Sequence, residues 1–186
     1  MNESTRLERA IHLAAKLHRG QTRKGSFQPY ILHPFRVASI VSDAGGSEDQ
    51  VIAALFHDLV EDAGGLPTRE RIQREFGPNV TRLVDGCTDA VGYPRPPWRE
   101  RKQRFIDRAR RASSAVRLLV VADKLHNAMC TRQDLAARGE EVWERFHGRR
   151  EGTLWYYREM LAALRDGWDH PLLAELESEV DQLHGY

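Results

Sequence analysis

The chain has 186 residues, with 28 Lys and Arg against 27 Asp and Glu, so the formal charge is 28 − 27 = +1 with histidine neutral. That balance excludes a general nucleic-acid or anionic-membrane binder. One domain over residues 1–186 is the expectation at this length, and a 41% share of hydrophobic residues supplies a core rather than a disordered chain.

Helical punctuation recurs along the chain. Thr5 and Glu8 form a capping-box pattern ahead of Leu7, Ile11 and Ala14, and Gly20 supplies the stop. Pro34 opens a second predicted helix through Val37, Ala38 and Val41, ended by Gly45 and Gly46. Ser47 and Gln50 cap a third, Val51 to Ala63, closed by Gly64 and Gly65. Thr68 opens a fourth that stops at Gly77, and Pro78 starts another through Val80, Leu83 and Val84.

The stretch Gly92 to Pro97 reads as a loop inside the domain. Further helices are predicted at Trp98–Arg111, Ala115–Ala137, Glu141–Phe146, Gly152–Leu164 and Pro171–Leu183. The apolar run Val116 to Val121 fits a buried strand or a buried helix, and with no second strand to pair with, helix is favoured. The fold class is all-α.

Cys87 and Cys130 form no C-x-x-C pair and read as reduced thiols of a cytoplasmic protein. The longest apolar run, Leu118 to Ala122, is far short of the roughly 20 residues that span a bilayer. No membrane partner is expected.

The string Phe56-His57-Asp58-Leu59-Val60-Glu61-Asp62 falls in the third predicted helix. On one continuous helix, Glu61 lies a turn beyond His57 and Asp62 a turn beyond Asp58. An acidic turn leaving an apolar helix is costly to desolvate unless a cation compensates. Alone, a helical His-Asp pair is more often structural. His33, just before Pro34, and Asp123, at the end of an apolar run, add two further candidate ligands. Two imidazoles and two carboxylates suit Mn²⁺, Fe²⁺ or Zn²⁺ and leave coordination positions open, which indicates catalysis.

The set QTRKGSFQPYILHP, FHDLVEDAG and VADKLHN resembles the HD-domain hydrolases of the RelA/SpoT homologue group, particularly the small alarmone hydrolases. The likeness runs from about Leu7 to Asn127, with the register of Phe76 to Thr88 in support, and leaves C-terminal helices over 141–183. The resemblance implies that His33, His57, Asp58 and Asp123 hold one divalent ion, usually Mn²⁺. It implies that Glu61 and Asp62 position and activate water, with Glu61 the first choice as base. Arg23, Lys24 and Tyr30 match a wall that holds a nucleotide, and Lys102 and Asn127 match residues on its phosphate and ribose side. The intervening GSFQP departs from the bacterial bifunctional enzymes, which bears on base selectivity. Four of the 28 basic residues are lysines (Lys16, Lys24, Lys102, Lys124); Lys24 and Lys124 fall inside these motifs, and Lys102 ends PRPPWRERK, which looks like a subgroup of bacterial HD proteins.

The resemblance thus implies a metal-dependent phosphohydrolase that removes the 3′-pyrophosphate from a (p)ppGpp- or (p)ppApp-like alarmone, a small-molecule nucleotide. With no room for a synthetase domain, only removal of the signal is expected. Two other readings stand beside it: a nucleotide or dinucleotide phosphatase, acting for example on NADPH at the same metal, and a nucleotide-binding module without turnover. The remaining basic residues from Arg95 to Arg111 read as a solvated helix face, and Trp155, Tyr156 and Tyr157 as core. His12, His18, His147, His170 and His184 carry no motif, and His126 is left out of the metal set.

Overall fold

A computed structural model of the chain describes residues 5–25, 27–90, 92 and 94–185. Among these it is all α-helical, with one isolated bridge between Thr22 and Pro29 and no strand. None of these helices is long and apolar enough to cross a membrane. The chain forms two compact units, Met1–Arg95 and Pro96–Tyr186.

The first unit holds α1 (Arg6–Leu17), α2 (Leu32–Asp43), α3 (Glu48–Phe56), α4 (Leu59–Asp62) and α5 (Gly65–Cys87). Both capping boxes read from sequence are present, Thr5 with Glu8 and Ser47 with Gln50. α2 begins two residues before Pro34, which the helix tolerates because a first-turn N–H has no intrahelical partner. Residues Ile52 to Phe56 are buried on every side of α3, and α1, α2 and α5 pack around it. Phe56 meets Phe76 of α5 edge-on at 4.8 Å between ring centroids. At the start of α1, Arg6 pairs with Glu48 and Asp49 in the first turn of α3 and donates to the Phe76 carbonyl at 2.6 Å.

One predicted helix comes out differently. The single helix expected over Val51–Ala63 is two, α3 and α4, separated by a turn at His57 and Asp58. The stop expected at Gly77 is present, since φ of 88° and ψ of 171° leave helical geometry there and Pro78 starts the next run, so α5 is two helices joined at that kink.

The second unit holds α6 (Trp98–Arg110), α7 (Ser114–Arg138), a 3-10 turn at Gly139–Arg145, α8 (Arg149–Arg165) and α9 (Pro171–Leu183). The ambiguous Val116–Val121 run is α7 helix, buried throughout, with α6, α8 and α9 packed against that element. Arg117 is buried in the same run. Its guanidinium donates to the carbonyls of Ala112 at 3.0 Å, Leu164 at 3.0 Å and Asp166 at 2.5 Å, and also to that of Arg110. The segment expected as a helix at Glu141–Phe146 is the 3-10 turn instead. Trp98 lies against α8, and a Cβ on Gly148 would come within 2.5 Å of its ring. Tyr156 and Tyr157 are buried, as expected for core.

Candidate metal centre

Neighbouring residues on an unbroken α-helix point about 100° apart. At the end of α3 the helical pattern lapses, and the Asp58 backbone stands at φ −99°, ψ −8°. Adjacent side chains then reach one point, with His57 Nε2 2.9 Å from Asp58 Oδ2. His33, in the first turn of α2, brings its Nε2 to 3.2 Å from His57 Nε2 and 3.5 Å from Asp58 Oδ2. Three of the four expected ligands therefore form one cluster, both imidazoles buried and the carboxylate half-buried.

The tautomer of His57 follows from its second contact. Nδ1 lies 2.7 Å from the Ala54 carbonyl, which can only accept, so Nδ1 carries the proton and Nε2 presents a lone pair. Donor atoms bound at about 2.0–2.2 Å to one ion lie about 3.0–3.5 Å from each other. The observed spacings of 2.9, 3.2 and 3.5 Å match that requirement, and the nitrogen and oxygen donors fit a divalent cation.

A further shell supports these ligands. The Tyr30 hydroxyl donates to Asp58 Oδ2. Tyr30 is placed by a tight loop in which its N–H reaches the Gln21 carbonyl at 2.9 Å and the Arg23 N–H reaches the Gln28 carbonyl at 3.0 Å. Arg23 is half-buried and Lys24 exposed on this loop. Buried His18 packs at 5.0 Å from the Tyr30 ring and holds the Gln21 side-chain oxygen at 2.7 Å through Nδ1. Gln21 Nε2 in turn donates to the Asp62 carbonyl at 3.3 Å. Burial keeps His18 below the ordinary imidazole range, so it stands neutral near neutral pH. The motif reading gave His18 no role, because its part comes entirely from packing.

The two acidic residues on α4 differ. Glu61 is held at both oxygens: Oε1 faces Arg95 Nη1 at 3.2 Å, and Oε2 receives the Asp89 N–H at 3.4 Å. Arg95 also donates through Nη2 to the Glu61 main-chain carbonyl at 3.0 Å. Asp62 keeps an edge open to solvent, and partial desolvation with the charges of Asp58 and Glu61 pushes its carboxyl up to about 6. Arg95, expected among the solvated basic residues, is instead part of this site. Arg99, Arg104 and Arg108 are exposed as expected, whereas Arg101 is half-buried with its Nε shielded from solvent. Of the Gly92–Pro97 loop, Tyr93 lies outside the described residues.

The remaining expected residues belong to the second unit. Asp123, buried on α7, receives Lys124 Nζ at 2.5 Å on one oxygen and Asn127 Nδ2 at 2.6 Å on the other. Burial alone would lower Lys124, but the adjacent Asp123 carboxylate raises it well above the ordinary lysine range, so the ammonium stays charged. Lys102 on α6 sets its ammonium 4.9 Å from the Tyr156 ring centre. His126 turns toward Cys130 at 3.6 Å.

The model of the HD domain family matches residues 10–154, and the chain belongs to that family. It is an HD-family hydrolase by its relatives as well as its fold. The human guanosine-3′,5′-bis(diphosphate) 3′-pyrophosphohydrolase MESH1 is 39% identical over 129 residues, covering 68% of this chain and 69% of that protein. The GTP pyrophosphokinase of Streptomyces coelicolor is 40% identical over 124 residues, 65% of this chain but 14% of that protein. Among solved structures, a metazoan orthologue of SpoT that hydrolyses ppGpp superposes with a TM-score of 0.80 at 30% identity, covering 98% of this chain and 97% of that one. The lmo0812 protein of Listeria monocytogenes EGD-e superposes at 0.74 with 29% identity, over 83% of this chain and 99% of its own.

Proposed function

We propose that this chain is a metal-dependent phosphohydrolase that removes the 3′-pyrophosphate from a (p)ppGpp- or (p)ppApp-like alarmone, with Mn²⁺ as its ion, in the cytoplasm. The observation that carries the reading is the convergence of His33 Nε2, His57 Nε2 and Asp58 Oδ2, with the His57 tautomer set for metal binding by the Ala54 carbonyl. Likeness to MESH1 and to the SpoT orthologue supports the substrate class. Asp123 is the fourth ligand in this reading, on the strength of the VADKLHN motif. The family match running through residues 10–154 supports one hydrolase domain over 1–186.

When bound, the cation supplies Lewis-acid polarisation of a phosphoryl oxygen and acidifies water. Glu61 accepts a proton from the attacking water, with Asp62 as its partner. The water oxygen joins the phosphorus attached to the ribose 3′ oxygen, that P–O bond breaks, and the 3′ oxygen leaves protonated as a hydroxyl. Pyrophosphate is released. Arg23, Lys24 and Lys102 face the phosphates and nucleotide, Asn127 the ribose side, and Tyr30 both lines the pocket wall and steadies Asp58.

The test incubates manganese-loaded protein with ppGpp, pppApp and NADPH and identifies the phosphorus products. Pyrophosphate from an alarmone is expected. Orthophosphate from NADPH alone, or no turnover of any of the three, overturns the reading. Glu61→Gln is expected to keep the metal while losing about 10²–10⁴ in kcat, the usual worth of a general base.

A further inference from the structure

Arg95, inside the basic stretch, commits its guanidinium to an acidic residue of α4. Its two terminal nitrogens take different atoms of the same residue, Nη1 the Glu61 carboxylate at 3.2 Å and Nη2 the Glu61 main-chain carbonyl at 3.0 Å. α4 is only four residues long, so it ends too soon to give that carbonyl an intrahelical donor. The Asp89 N–H approaches the other carboxylate oxygen at 3.4 Å. A side chain held by a rigid planar fork at its head and at its own backbone has lost most of its rotational freedom.

We propose that Arg95 is a positioning residue for the hydrolysis: it clamps Glu61 in one rotamer beside the metal ligands, so that the base meets water without first reorganising. This rests on the reading of Glu61 as the base. Three carboxylates, Asp58, Glu61 and Asp62, occupy five consecutive residues, and without a cation opposite them Glu61 would swing out to solvent. Arg95 supplies that cation from the loop before α6. A lysine there carries the same charge but a single point of attachment, and can hold only one of the two Glu61 atoms at a time.

The test compares Arg95→Met and Arg95→Lys, each alone and combined with Glu61→Gln, in the full chain. With manganese and ppGpp, Arg95→Met is expected to lower kcat about 10- to 100-fold, the scale of a misplaced catalytic group. KM should stay within about twofold and manganese content unchanged, since the clamp acts through Glu61. Arg95→Lys should recover part of the loss. In the Glu61→Gln background, Arg95→Met should change kcat by less than about threefold, because a clamp has nothing left to position. A rise in KM at constant kcat, or full additivity of the two substitutions, overturns the proposal. Wild type, Arg95→Met, Glu61→Gln and the Arg95→Met, Glu61→Gln double variant, stripped of metal with chelator, are also unfolded in urea, where midpoint shifts that are smaller together than their sum report the clamp directly. If wild-type protein leaves ppGpp intact, the hydrolase reading falls and this cycle alone judges the clamp: coupled midpoints keep it and additive midpoints sink it.

Discussion

The end of α3 and the middle of α7 both carry an acidic residue expected to bind metal, and they present it in opposite ways. At α3 the helix is interrupted, so His57 and Asp58, adjacent in sequence, aim at one point. α7 runs unbroken for 25 residues, and Asp123 is steadied by its neighbour Lys124 and by Asn127 one turn on. The first arrangement gives up backbone regularity for convergence of side chains. The second keeps regularity and adjusts charge. The break lets two neighbouring donors meet His33 at one point, whereas a single carboxylate sits on an unbroken helix.

The sharpest way to break this contrast is His57→Ala. It removes a donor from the interrupted turn and should abolish manganese binding, measured by elemental analysis, with turnover falling at least about a thousandfold, equivalent to several kcal/mol of transition-state stabilisation. Full metal occupancy in that variant would mean the turn is not the metal centre.

On the α7 side the largest effect expected is on stability. Arg117→Met leaves four carbonyls without their shared buried donor, and a loss of about 2–4 kcal/mol in urea unfolding follows, with catalysis per folded molecule unchanged. A loss below 0.5 kcal/mol would show those carbonyls find other donors.

A smaller effect concerns Asp62, whose folded carboxyl titrates near 6 against an ordinary 3.8. The folded state binds this proton more tightly than the unfolded chain, so stability is lost as pH rises between those values and is not regained above them. In metal-free protein, the melting temperature of Asp62→Asn relative to wild type should therefore climb from pH 4 to pH 6 and level off beyond. A difference independent of pH would contradict the shift.

The smallest effect compares helix starts. Ser47→Ala removes one half of a reciprocal capping box on α3, and Ser113→Ala removes a single side-chain bond to the Val116 N–H on α7. Each should cost about 1 kcal/mol, with Ser47 the larger, and the reverse order would argue that the box adds nothing.

Local signals stated the helices because caps and glycines act over three or four residues, and chain order alone brings those groups together. Thr5 with Glu8, Ser47 with Gln50 and Pro171 were read correctly for that reason. The ligand types at His33, His57 and Asp58 were equally visible as motif. The interruption at His57 was not, since Val51 to Asp62 has the composition of one helix; at its end the His57 ring takes the Ala54 carbonyl at 2.7 Å. Arg95 and His18 were also hidden, one inside a basic stretch and one among unremarkable histidines, because Arg95 meets Glu61 34 residues away, His18 packs on Tyr30 (30 − 18 = 12 residues on), and charge patterning carries no direction.

What the sequence determined by itself was the helical class, the chemistry of the donors and the family they point to, all consequences of residue type and short spacing. What only the tertiary structure decided was aim: which imidazole joins His57 and Asp58, which acid is clamped and which is left open to water. Those depend on atoms from α2, α4 and the loops at residues 21–30 and 89–95 meeting in space, and distance along the chain does not encode such meetings.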